Sequence, residues 1–215
     1  MEQNGAMTQS KASPGRPRDD QVDSRVADAA VALFGQNGWA SFSIEAVARR
    51  AGVGKASVYL RWRNKEELLI EALGVRLVRI SDMDTGTVRG DLVQLVRQLL
   101  GLYAGERGQA ALRLGLEART IPGLAARYEE MAQAQILAAR AIVRRGIRRG
   151  EIPEGTSVTF LLDAVCGGAM NHAMTVPPSL RPLAPDAMVE YAERFVDFVL
   201  ASVLTEPEPG GSGGR

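Results

Sequence analysis

The sequence is poor in the residues that most catalytic and metal sites require. Its 215 residues include one histidine and one cysteine, and neither a P-loop nor a G-x-G-x-x-G motif occurs. The lone cysteine, Cys166, can form no disulfide within the chain, which fits a reducing compartment. These shortages predict no metal site, no cofactor and no enzymatic activity, although they leave open a site built from carboxylates alone.

Long apolar runs are also missing. No stretch approaches the roughly 18 apolar residues of a membrane-spanning helix, and the first eighteen residues lack the apolar core of a signal peptide. Apolar residues make up 46% of the chain and charged residues 24%, which is ordinary for a globular protein. We therefore expect a cytoplasmic protein that does not enter a membrane and that forms one large or two modest helical domains.

Charge is unevenly distributed, although the net charge is only +1. Residues 11–65 hold ten Lys or Arg against five acids, giving +5, so the remainder of the chain carries −4. A basic module on a mildly acidic remainder is typical of a protein that presents one end to phosphate groups. Chance clustering on a solvated surface is the alternative.

Residues 43–62 have the spacing of two short helices joined by a glycine turn. Ser43 can cap the first helix, Gly52 follows its last apolar position, where positive φ is often needed, and Val58 and Trp62 share one face of the second helix. The apolar face of the first helix consists of Ile44, Val47, Ala48 and Ala51. This pattern predicts a helix-turn-helix, whereas an ordinary helical hairpin with a basic face is the competing interpretation.

A helix-turn-helix places its second helix in the major groove of DNA, where lysine, arginine and hydroxyl groups can meet bases and phosphates. Lys65 lies in the first turn of the next predicted helix, where backbone N–H groups favour an anion. Arginines on the Pro- and Gly-rich arm can enter the minor groove, or the arm is only a solvated linker. The candidate DNA-binding residues are Arg16, Arg18, Ser43, Lys55, Ala56, Ser57, Tyr59, Leu60, Arg61 and Lys65.

The run FSIEAVARRAGVGKASVYLRWRNKEEL at residues 42–68 resembles the N-terminal domain of the TetR (tetracycline repressor) family of bacterial transcription regulators. The resemblance is close over residues 22–70. It is carried by a serine cap, a Val-Ala pair, Ala-Gly-Val, a tyrosine, an aromatic residue and Lys-Glu-x-Leu, which here are Ser43, Val47, Ala48, Ala51, Gly52, Val53, Tyr59, Trp62, Lys65, Glu66 and Leu68.

The resemblance implies an all-α fold with an N-terminal three-helix DNA-binding domain and a helical domain for ligand binding and dimerisation. It further implies a homodimeric, sequence-specific regulator, usually a repressor, that a small molecule releases from a pseudo-palindromic operator in double-stranded DNA. A ligand-independent or architectural DNA-binding protein is the alternative.

The chain divides into four predicted regions: a disordered basic arm (1–18), the DNA-binding domain (19–65), the effector and dimerisation domain (66–204) and a flexible tail (205–215). The pattern of the two domains is helical. Asn64 and Glu67 form a possible capping box for the fourth helix. Helix is expected to resume at Asp91, with a short segment broken by Gly108 and Gly115, and the longest helix is expected from about Pro122 to Arg149. Two final helices are predicted from Thr156 to about Met174 and from Pro185 to about Leu204.

Ligand and interface residues are the least constrained part of the prediction, because a Met or Tyr stripe is usually core. We expect a largely hydrophobic effector, and His172 either contacts it or belongs to a rim or interface. The effector candidates are Tyr103, Leu116, Tyr128, Met131, Gln135, Cys166, Met170 and His172. The wide apolar faces of the last two helices are buried either within their own domain or across a two-fold axis, and the resemblance implies both. The dimer candidates are Leu161, Val165, Ala169, Ala192, Phe195 and Val199.

Overall fold

The computed structural model describes residues 20–77, 80–104, 107–177, 179 and 184–204, and within those ranges all regular structure is helical. The predicted all-α fold is thereby confirmed. None of the helices described is long and apolar enough to cross a membrane. The helices are α1 (Asp20–Asn37), α2 (Ile44–Ala51), α3 (Lys55–Tyr59), α4 (Lys65–Arg76), α5 (Val88–Ala104), α6 (Gly108–Glu117), α7 (Ala125–Arg148), α8 (Val158–Thr175) and α9 (Pro185–Leu204), with a 3₁₀ turn at Ala118–Thr120.

Several helix boundaries differ from the sequence prediction, and α7 begins at Ala125 rather than Pro122 and α8 at Val158 rather than Thr156. Helix α5 begins at Val88 rather than Asp91, because the Thr87 hydroxyl caps it by accepting the Gly90 N–H at 3.1 Å. Another difference concerns α6, which begins at Gly108 but continues unbroken through Gly115. A Cβ on Gly108 would lie 1.9 Å from the Tyr103 carbonyl oxygen, so this glycine permits close approach to the end of α5.

The first four helices form a unit that we call the head. Helix α1 packs against α2, α4 and α6, and the centre of the head core consists of Phe34, Val47, Val58 and Leu68, all fully buried. Apolar burial of this kind is the main favourable term in folding. Since α2 and α3 are short, their positions depend on this core.

Helix α6 belongs to the head core although it lies well beyond the predicted domain boundary at residues 65 and 66. Ala110 and Leu114 of α6 are buried in the same apolar cluster as Phe34. A Cβ on Gly35 would lie 3.0 Å from the Ala110 nitrogen, which shows how closely α1 and α6 approach. Arg113 Nε donates to the Gly35 carbonyl at 2.8 Å. The division into domains stays a prediction. The packing of α6 against α1 joins the predicted effector domain to the head.

The second core surrounds α5, which packs against α8 and α9, and these helices together with α7 form the body. The first turn of α5 carries Asp91, which is fully buried. The carboxylate accepts from Arg145 Nη2 at 2.8 Å and from the Thr85 hydroxyl at 2.8 Å. A buried charge of this kind is tolerated only when it is paired and hydrogen-bonded.

Two arginines at the end of α7, Arg145 and Arg149, have partners beyond the helix dipole, which by itself favours basic residues there. Arg145 also binds Asp82 at 2.9 Å, and Arg149 binds Asp84 at 2.7 Å. These contacts fasten the segment before α5 to the body, although that segment has no apolar period in the sequence.

Candidate nucleic-acid interface and effector cavity

The helix-turn-helix forms as its local signals predict. The Ser43 hydroxyl accepts the Ala46 N–H at 3.2 Å and caps α2. Gly52 has φ +66°, and its N–H donates to the Ala48 and Arg49 carbonyls, so the chain leaves α2 through a left-handed residue. Gly54 precedes α3 without a side-chain cap. The predicted DNA-binding candidate Ser43 thus has a structural partner.

Helix α3 is held by its inner face. Val58 and Trp62 are 0% and 3% exposed, as their spacing predicts. The Trp62 indole Nε1 donates to Glu71 Oε2 of α4 at 2.9 Å. A helix of five residues has little stability of its own, so α4 and the core determine where α3 lies.

The outer face of α3 exposes Lys55, Ala56, Tyr59 and Leu60 to solvent. Lys55 forms an ion pair with Glu45 of α2, and the Tyr59 hydroxyl donates to the same carboxylate at 3.4 Å. The hydrogen bond from Lys55 lowers the pKa of Glu45 and reciprocally raises that of Lys55. Both remain ionised at neutral pH, and Glu45 keeps the lysine and tyrosine together at the surface.

Two other DNA-binding candidates have intramolecular partners. Arg61 Nε binds Asp23 of α1 at 2.5 Å, and its Nη1 donates to the Ser57 carbonyl at 3.0 Å. Lys65 Nζ donates to the Phe42 carbonyl at 3.3 Å and lies 3.9 Å from the Trp39 ring centroid. Both side chains stabilise the head through these contacts. The sequence pattern did not predict this role. Arg16 and Arg18 lie outside the described residues.

A cavity of about 390 Å³ lies between α4 and α7. Of the eight predicted effector residues, Tyr128, Met131 and Gln135 line it. The sequence prediction missed the contribution of α4, although Ile70, Leu73, Gly74 and Leu77 recur at helical spacing and could have indicated it. The other lining residues are Ile80, Leu114, Leu124, Glu130 and Ala134.

The other five effector candidates lie elsewhere. Leu116 is 82% exposed, because α6 turns its Ala110 and Leu114 side toward the head. Tyr103, Cys166, Met170 and His172 are half-buried and do not line this cavity. Burial raises the pKa of the Cys166 thiol to about 11.

His172 belongs to an aromatic stack between α8 and α9. Its ring lies 3.7 Å from that of Tyr191, nearly parallel at 8°, and Tyr191 lies 5.5 Å from Phe195. Burial lowers the pKa of His172. The contacts of this histidine join two helices of the body.

The six predicted dimer residues point into the body or against it. Leu161, Val165, Ala169, Ala192 and Val199 are buried within the chain. Phe195 packs against Gly168, where a Cβ would lie 2.3 Å from the Phe195 Cζ. The same two helices expose Phe160, Phe198 and Leu204, at 76%, 74% and 53%. Met174 of α8 is also exposed, at 41%, and the residues of the dimer interface stay a prediction.

Taken together, the fold and the head define a helix-turn-helix DNA-binding protein with a helical body. Residues 26–72 match the family described as "Bacterial regulatory proteins, tetR family", and residues 82–198 match "Tetracyclin repressor-like, C-terminal domain". The chain belongs to the TetR family of bacterial transcriptional regulators.

Individual relatives agree with this assignment. The HTH-type transcriptional regulator AqdR of Rhodococcus erythropolis is 31% identical over 162 residues, covering 73% of this chain and 78% of AqdR. In structure, FadR from Bacillus subtilis in complex with stearoyl-CoA has a TM-score of 0.63 at 22% identity, covering 84% of this chain and 98% of that chain. PfmR from Thermus thermophilus has a TM-score of 0.66 at 21% identity, covering 82% and 97%. At these identities the two structures support the fold alone.

Proposed function

We propose that this regulator is a homodimeric repressor that binds a pseudo-palindromic operator through α3 and leaves it when a small hydrophobic molecule enters the cavity between α4 and α7. The observation that carries the proposal is the double role of α4. Its Ile70, Leu73 and Gly74 line the cavity, while its Glu71 accepts a hydrogen bond from the indole of Trp62, shortly after α3. A ligand that displaces α4 would therefore move α3.

A second set of bonds extends the same coupling to α1. Arg76, at the end of α4, forms an ion pair with Asp28, and its Nη2 donates to Asp28 Oδ2 at 3.2 Å and to the Ser24 carbonyl at 2.9 Å. Helix α4 is thus attached to α1, which packs against α2, and to Trp62 beyond α3. To release DNA, the effector must bind the arrangement that does not fit DNA more tightly than the one that does.

The lining of the cavity defines the chemistry of the effector. It is mostly aliphatic, with the Tyr128 hydroxyl, the Gln135 amide and the Glu130 carboxylate as polar groups, and its volume is within the roughly 300–1,000 Å³ of small-molecule sites. The neighbouring FadR structure contains stearoyl-CoA. We propose a molecule with a long apolar part and one polar end, and compounds with an acyl chain are the first class to test.

We propose that the dimer forms through the outward-facing apolar residues of α8 and α9. Phe160 and Phe198 are three-quarters exposed, and a groove of about 520 Å³ runs between the two helices past Phe160, Leu161, Val199 and Leu204. Exposed apolar surface of this kind marks an interaction site. A two-fold dimer sets two heads on two half-sites, which requires an operator with matching symmetry. Because its target is chromosomal DNA, we expect the protein to act in the cytoplasm.

Two measurements test the proposal. Selection from random duplexes should enrich a pseudo-palindrome, and no enrichment would refute sequence-specific binding. Acyl compounds of increasing chain length should then raise the melting temperature and release the selected DNA. Compounds that raise the melting temperature without releasing DNA would favour the ligand-independent alternative.

A further inference from the structure

The face of α3 that points directly away from the protein is apolar. Successive helical residues are about 100° apart, so Ala56 and Leu60 lie roughly half a turn from the buried pair Val58 and Trp62. Leu60 continues the helix, with φ −67° and ψ −20° and its N–H bound to the Ala56 carbonyl at 3.0 Å. We call Ala56 and Leu60 the crest of α3. Leu60 is 85% exposed.

Polar residues lie on the two flanks of the crest, where Lys55, Tyr59 and Arg61 have partners and Ser57 is half-buried. On one flank, Lys55 and Tyr59 bind Glu45. On the other, Arg61 binds Asp23. The part of α3 that projects farthest toward a bound duplex therefore offers methyl and methylene groups rather than hydrogen-bonding groups.

Thymine is the base that presents an apolar group in the major groove, through its C5 methyl, and aliphatic side chains discriminate it by contact. We propose that the crest of α3 makes this regulator specific for thymine at the centre of each half-site, with Leu60 as the principal specificity-determining residue and Ala56 packing beside it. The exposed leucine is thus covered by DNA. This inference rests on the proposed function, because it requires an operator.

The test removes single methyl groups from the DNA. An operator selected by the full chain is synthesised with each thymine in turn replaced by uracil, which lacks only the C5 methyl. We expect one or two positions in each half-site at which the wild-type protein binds the uracil duplex about fourfold more weakly, a factor typical of burying one methyl-sized group. At all other thymines the affinity should be unchanged.

The matching change in the protein is Leu60→Ala. This variant should bind thymine and uracil duplexes equally at the sensitive positions, and because Leu60 is exposed its melting temperature should equal that of the wild type. Leu116→Ala is the matched control, since Leu116 is equally exposed, at 82%, but lies on α6. It should keep the full preference for thymine.

Several outcomes would overturn the inference while leaving the proposed function intact: uracil is tolerated at every position, the half-site contains no thymine, or Leu60→Ala still prefers thymine to uracil. Failure to select any sequence would instead refute operator binding, and the inference with it.

Discussion

The indole nitrogen of Trp62 and the carboxylate of Glu71 are joined by a hydrogen bond of 2.9 Å. Trp62 follows the five residues of α3, and Glu71 lies in the middle of α4. Through this bond, the end of α3 is joined to the helix that also lines the cavity, while α3 itself packs against α2.

Trp62→Phe should test that relationship, because it keeps an aromatic ring in the core but removes the donor. We expect operator affinity to fall by about 1 kcal/mol, the usual size of such a bond, with a similar loss in the free energy of unfolding by urea. Glu71→Gln retains an acceptor oxygen and should have a smaller effect. Unchanged operator affinity in Trp62→Phe would show that α3 does not depend on this bond.

Glu45→Gln removes a negative charge from the DNA-facing surface and releases Lys55 from its ion pair. We expect tighter binding to random-sequence DNA and a salt dependence steeper by about one ion, because the lysine becomes available to a phosphate. Titration of fluorescent duplexes at several salt concentrations measures both. Glu129→Gln makes the same charge change on exposed α7 and should alter neither. Weaker binding by Glu45→Gln would instead assign Glu45 a positive role in recognition.

Met131→Trp should fill the cavity, because Met131 lies in its wall. Acyl compounds that raise the melting temperature of the wild type should no longer do so, while operator affinity without ligand persists. Overpacking costs about 1–3 kcal/mol, so urea unfolding must accompany the assay. Leu137→Trp, at a 62% exposed position on the same helix, is the control. Undiminished stabilisation of Met131→Trp would place the effector outside this cavity.

Phe198→Asp should convert the dimer to a folded monomer, because it places an unpaired charge in a surface that dimerisation would desolvate. Light scattering gives the mass, and operator affinity should fall because half-sites are bound jointly. Leu116→Asp, equally exposed but on α6, should leave the dimer intact. Phe195→Asp should lower the melting temperature instead, since Phe195 packs against Gly168 within the chain. A stable Phe198→Asp dimer would move the interface elsewhere.

Alkylation of Cys166 should depend on pH in a way set by burial, which raises the pKa of its thiol from 9.0 to about 11. Iodoacetamide reacts with the thiolate, so modification of the folded protein should stay slow at pH 8 and accelerate only as the pH approaches 11. A raised folded-state pKa contributes stability below pH 9 that is lost as the pH rises through 11. Mass spectrometry follows the reaction, with urea-unfolded protein as the control. Equal rates for folded and unfolded protein at pH 8 would contradict the burial.

The head could be predicted from sequence because its signals are local. Ser43, Gly52 and the Val58–Trp62 pair each determine a feature within four residues of themselves. Only half of the capping box forms. Asn64 accepts the Glu67 N–H at 2.8 Å as predicted, but the Glu67 carboxylate accepts from the Arg63 N–H at 2.9 Å.

The contacts of the body were harder to predict from the sequence, because its helices are apolar on more than one side. On α8, Leu161 and Phe160 are adjacent and equally hydrophobic, yet one is buried and the other exposed. The helices packed against α8, which are α5, α7 and α9, decide which of the two is covered. The arginines of α7 gave no sign that one of them would pair with a buried aspartate 54 residues earlier. The assignments of individual DNA, effector and dimer contacts stay predictions.

The contact between Gly35 and Ala110 has a consequence for how such regulators can be recombined. A chimaera that joins the head of one relative to the body of another at the segment before α5 would divide a single core, because α6 would come from the wrong parent. The Trp39 N–H, bound to Glu117 at 2.8 Å, would lose its acceptor as well. The transferable unit is therefore discontinuous in sequence: residues 20–77 together with 107–124.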